Sequence, residues 1–108
     1  MHMSDADQIS LIAAQCDFPV VRSKWSGIDP VLPMLERMRR DGAVVVVKLD
    51  GERTMLDDTG PYTVVVTGAP LGSDFLRVDG RTIEEALAWV IVRYASRVWG
   101  YRGPVAGA

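Results

Sequence analysis

Residues 75–100, FLRVDGRTIEEALAWVIVRYASRVWG, constrain the fold more than any other stretch of the chain. Phe75–Val78 has the look of a strand, and Asp79-Gly80 is a turn that ends it. Thr82 and Glu85 then form a T-x-x-E capping box, in which side chains satisfy the free amides of a helix start. Ile83, Ala86, Leu87, Val90, Ile91, Tyr94 and Val98 recur at helical spacing and define a core face. Trp89, Val92 and Trp99 fall roughly opposite, among Glu85, Arg93 and Ser96, and Arg93 is one helical turn from Trp89, within stacking reach.

The preceding residues supply partners for that helix. Ser4 is a cap for a short helix over residues 4–16, with Asp5 and Asp7 in its first turn and Ile9, Ile12, Ala13 and Cys16 at helical spacing. Residues 17–28 lose periodicity. Asp29 as cap and Pro30 as first residue open a second helix to about Asp41, striped by Val31, Met34, Leu35 and Met38 and terminated by Gly42. The β-branched run in Ala43–Leu49 favours strand. Tyr62–Thr67 alternates, with Tyr62, Val64 and Val66 on one face and Thr63 and Thr67 on the other. Asp57-Asp58-Thr59-Gly60-Pro61 joins the two strands in one long, irregular hairpin, although Asp50-Gly51 could make a tighter one with Glu52–Leu56 as an added strand. Residues 68–73 form a further turn.

This order, α-α-β-β-β-α, predicts an α+β two-layer sandwich with a three-stranded antiparallel sheet packed by helices. Residues 1–108 form a single domain, with residues 1–3 and 101–108 as flexible ends. If Lys48 faces solvent, so do Val44 and Val46, with Val65, Phe75 and Arg77 on the same side. That outer face is more apolar than solvent requires, and the expected cover is the N-terminal segment, residues 5–21, with a partner as the alternative.

Composition removes most chemistry. Cys16 is the only cysteine, so no internal disulfide forms, and the absence of asparagine removes every N-glycosylation acceptor. Residues 5–16 make a poor signal peptide, and ALAWVIV, the longest apolar run, is too short to span a membrane. These features predict a cytoplasmic protein. His2 is the only histidine, which excludes histidine-based triads and His-rich metal sites. Cys16 reads as a small apolar residue rather than a nucleophile. Residues 68–73 lack the lysine of a phosphate loop and lead into a strand. Asp50, Glu52, Asp57 and Asp58 would be the acids of a small hydrolase or transferase, but acids at hairpin tips are ordinarily turn formers. No catalytic residue, metal ligand or cofactor is expected.

The helix–three strands–helix order of residues 30–99 resembles the double-stranded-RNA-binding domain. In that family, basic residues at the start of the final helix hold phosphates; here Thr82-Ile83-Glu84-Glu85-Ala86 places acids there. The stretch Asp79–Leu87, with its Gly-x-Thr-x-x-Glu-Ala helix start, is similar to small bacterial and prophage α/β-sandwich proteins of unknown function. That resemblance supplies no catalytic residue; a small bacterial regulatory, immunity or phage-related factor fits the reading as a whole.

The functional expectation is a non-enzymatic module that binds another protein or itself. Trp89, Val92, Arg93 and Trp99 are the candidate contacts, unless the N-terminal helix or C-terminal tail covers them within the chain. The alternative is nucleic-acid binding through Arg37, Arg39 and Arg40, against a net charge of −2 from 12 basic and 14 acidic residues.

Overall fold

The computed structural model describes residues 3–53 and 60–104. Its elements follow the expected order: α1 (Asp5–Gln15), α2 (Leu32–Arg40), β1 (Ala43–Leu49), β2 (Tyr62–Gly68), β3 (Leu76–Gly80) and α3 (Ile83–Tyr94). The three strands form one antiparallel sheet in the order β1-β2-β3. Helices α2 and α3 pack on the sheet, and α1 packs on α3, so the architecture is the α+β sandwich expected.

Local chemistry sets the element boundaries. Ser4 Oγ accepts from the Asp7 amide at 3.2 Å, capping α1. Thr82 Oγ1 accepts from the Glu85 amide at 3.1 Å, and Glu85 Oε2 reaches back to the Arg81 amide at 3.3 Å, completing the capping box. The second helix differs from expectation. Asp29–Val31 is a separate 3₁₀ turn, Asp29 makes no capping bond, and α2 starts at Leu32. Pro33 has no amide hydrogen for the Asp29 carbonyl, so the first i→i−4 bond of a helix capped at Asp29 cannot form, and the Leu32 amide takes that carbonyl in a 3₁₀ turn instead. Gly42, at φ 102°, ends α2. Gly68, at φ 115°, permits the close approach of β2 to β1: a Cβ there would lie 2.6 Å from the Gly42 carbonyl oxygen. β3 runs two residues past Val78, because Asp79 and Gly80 remain paired with Thr63 and Tyr62. The alternative strand Glu52–Leu56 lies largely outside the described residues.

Val64 and Val66 from the sheet, Met34 and Met38 from α2, and Leu87, Val90 and Ile91 from α3 are fully buried. The two-faced reading of α3 is overturned. Val92 is fully buried, Arg93 is 5% exposed, and Trp89 and Trp99 are half-buried. The run ALAWVIV is apolar all round, and a helix of that kind needs cover on more than one side. Ile9, Ile12 and Ala13 of α1 supply it, since α1 lies on α3. The N-terminal helix therefore does not cover the outer sheet face.

The chain between α1 and α2 and the chain after α3 strap these layers together. Trp25 is buried and its Nε1 donates to the Ala6 carbonyl at 3.0 Å, while the Gly27 amide donates to Glu84 Oε2 at 2.7 Å. Residues 101 and 102 are not a free end. Tyr101 is buried and donates to Gln8 Oε1 at 2.7 Å, and Arg102 exchanges two hydrogen bonds with the Gln15 side chain, both 3.2 Å. Gln8 and Gln15 are two helical turns apart, so one face of α1 holds both.

Candidate functional site

The strand registers arrange the outer sheet face in three rows. Lys48, Thr63 and Asp79 form one, and Val46, Val65 and Arg77 the next. Val44 and Thr67 begin the third, which Phe75 extends just before β3. Val44 is 56% exposed, Val46 52% and Phe75 63%. The face is therefore polarised, with large bare apolar side chains at one end and charge at the other.

The charged end is internally satisfied. The Asp79 carboxylate accepts from the Thr63 hydroxyl and from Arg53 Nη1 at 3.2 Å, with Arg77 Nη2 at 3.6 Å. The Thr63 hydroxyl, then the two guanidiniums, hold its pKa below the ordinary carboxylate value against partial desolvation. Asp50 is lowered as well, first by the Glu52 amide, and it pairs with Lys48 and Arg53. A network closed in this way stiffens the hairpin base.

The four residues nominated from the last helix act within the chain. Arg93 stacks over the Trp89 ring at 4.2 Å, as their spacing implies, but its Nη1 also donates to Asp5 Oδ2 and the Trp89 carbonyl, each at 3.0 Å. A buried guanidinium held by a carboxylate and a ring is cement between α1 and α3. Val92 lies beside it in the core. Trp99 ends a π-helical segment, Ala95–Trp99, closed by left-handed Gly100. The wider turn shifts the angular position of the last side chains, and Trp99 comes to rest on Phe18 and Tyr94, with centroids 5.1 and 5.2 Å away.

Arg37, Arg39 and Arg40 do not share one environment. Arg37 turns inward, over the Phe18 and Trp99 rings at 5.5 and 5.4 Å, and donates to the Cys16 carbonyl at 3.2 Å. Arg39 pairs with Glu36 at 3.1 Å. Arg40 is exposed on the last turn of α2. Cys16 is half-buried, and burial raises its thiol pKa, as an unreactive cysteine requires. Residues 69–71 form a 3₁₀ turn leading to β3. Asp57 and Asp58 lie outside the described residues. Among those described, no three His, Cys, Asp or Glu side chains converge as a metal site, and no helix is long and apolar enough to cross a membrane.

The edge of the sheet is where sequence reasoning missed a feature. An open groove of about 420 Å³ runs beside β1, between Leu35, Glu36 and Arg39 of α2 and Ala43, Val44, Val45 and Val47 of the strand. No sequence signal marks it, because which strand becomes an edge is a tertiary outcome. The class these features define is an α+β sandwich whose outer sheet face is bare at one end and whose β1 edge is open among the described residues. No protein-family model, curated protein or solved structure matches the chain.

Proposed function

We propose that this protein is a non-enzymatic protein-interaction module whose contact surface is the outer sheet face on its β1 side. The observation that supports this reading is the pair Val44 and Val46 on β1, each more than half exposed, with Phe75 equally bare across the face just before β3. Removing such side chains from water is worth about 1.5–3 kcal/mol each when burial is complete. Bare apolar side chains grouped on one sheet face suit contact with another polypeptide. A cytoplasmic setting suits its single, unpaired cysteine.

The test is the double variant Val44→Lys/Val46→Lys. Both side chains already face solvent, so the variant keeps its circular dichroism spectrum and its urea midpoint. Chemical crosslinking should give a defined product with another polypeptide chain, itself included, for the parent protein and none for the variant. Equal crosslinking by the folded variant overturns the reading.

A further inference from the structure

Resting on that reading of the surface, we infer that the occupant is a second copy of this chain, paired with the first along β1 to make one continuous sheet across a two-fold axis.

Backbone parity defines the open edge. The Asp50 amide donates to the Pro61 carbonyl at 2.9 Å, which continues the β1–β2 register by one pair. Bonded pairs alternate along an antiparallel ladder. Val44, Val46 and Lys48 therefore bond to β2, and Ala43, Val45, Val47 and Leu49 turn their N–H and C=O groups the other way. Among the described residues no strand lies on that side of β1. Monomeric proteins blunt such an edge with proline, a bulge or central charge. β1 has no proline and pairs with β2 without interruption, and its one charge, Lys48, stands next to last.

The edge is self-complementary. An antiparallel copy centred on Val46 sets Ala43, Val45, Val47 and Leu49 opposite Leu49, Val47, Val45 and Ala43 of the second chain, so every outward group meets a partner. The same register sets Lys48 opposite Val44 of the other copy and keeps the two lysines apart. An axis normal to the sheet leaves both α2 helices on one side, antiparallel, above the groove. Glu36 and Arg39 line that groove, and their intrachain pair is largely exposed. Across the axis, Arg39 of each copy faces Glu36 of the other, so two charge pairs form where a foreign strand would have to supply both signs. Val44 and Val46 of the two chains merge into one apolar strip. Two-fold pairing of one patch with itself is also the commonest route to an oligomer.

Sedimentation velocity reads the result directly. The intact protein should show a concentration-dependent species of twice the 11.8 kDa chain mass. On raising concentration, hydrogen exchange should slow at the amides of Ala43, Val45, Val47 and Leu49 and stay constant at Val44, Val46 and Lys48. Glu36→Arg should weaken the dimer at least tenfold, and Glu36→Arg/Arg39→Glu should restore it. Both positions are exposed, so folding is not at stake. Val45→Pro, which removes an outward amide and none of the bonds between β1 and β2, should also give monomer. A monomer at every soluble concentration, or a dimer indifferent to Glu36→Arg, overturns the inference. A monomer that still crosslinks to a different polypeptide through Val44 and Val46 overturns the second copy and leaves the surface reading standing. A dimer broken by Glu36→Arg but intact in Val44→Lys/Val46→Lys upholds edge pairing and removes the outer-face reading.

Discussion

Trp99 Nε1 donates to Asp41 Oδ2 at 2.8 Å, joining the end of the chain's last helical segment to the end of α2. The same oxygen accepts from the Tyr94 hydroxyl at 2.9 Å. One surface carboxylate thus orients two aromatic side chains and closes the ring cluster of Phe18, Tyr94 and Trp99 under Arg37. Asp41→Ala should cost about 1–3 kcal/mol, because it strands the hydroxyl of a fully buried tyrosine. Tyr94→Phe should cost less, about 1 kcal/mol, since the exposed carboxylate regains water. Urea denaturation of both variants checks the order.

Arg93 and Trp89 should behave as core residues. Arg93→Ala loses the stack on Trp89 and leaves Asp5 without its partner. Destabilisation of about 1–3 kcal/mol is expected, because the buried guanidinium's hydrogen bonds and stack are lost while the Asp5 carboxylate, 25% exposed, regains water. The mass in solution at a concentration where the protein stays folded should not change. A change in mass without loss of stability would restore this helix as a docking surface.

Tyr101→Phe should lower stability by about 1–3 kcal/mol, because it leaves the Gln8 side-chain oxygen buried without a donor. Thermal unfolding measures it. A silent substitution would show that the Tyr101–Gln8 hydrogen bond does not fasten the chain after α3 to α1.

The pH dependence has two limbs. Asp79 has a pKa below its unfolded value, so the unfolded chain takes up the proton first as pH falls. Its contribution is complete above about pH 4 and is lost below it. Asp79→Asn should flatten that limb. Tyr94 has a pKa far above the ordinary value, through burial first and the Asp41 hydrogen bond and charge next, and Tyr101 is raised by burial. The unfolded chain therefore releases these phenolic protons first, and stability falls as pH rises above about 10. Tyr94→Phe should reduce the slope. Denaturation midpoints across pH test both signs.

Much of the fold was legible because its signals are local. Ser4 and Thr82 are caps whose partners lie three residues away, and the valine run of β1 resists helix through its own side-chain sterics. The alternation of β2 and the position of Lys48 in β1 correctly sent Val44 and Val46 outward. The candidate site was not legible in the same way. A helical wheel divides α3 into two faces, but it does not register that α1 folds onto the second one. The continuous run from Ala86 to Val92 held that information, and periodicity alone discarded it. Asp41 carries no mark as an acceptor for Tyr94 and Trp99, which come to it from more than fifty residues away.

The sequence by itself determined the order of helices and strands, the caps at Ser4 and Thr82 and how the sheet alternates, because each of those depends on neighbours within a few positions. Only the tertiary structure decided what covers what. Whether Arg93 meets solvent or Asp5, whether Arg37 reaches outward or lies on two rings, and whether β1 is an inner strand or an open edge are set by elements distant in the chain. Burial is a property of the assembled layers, and α1 could satisfy either α3 or the outer sheet face but not both; it went to α3, and Val44 and Val46 of β1 were left bare.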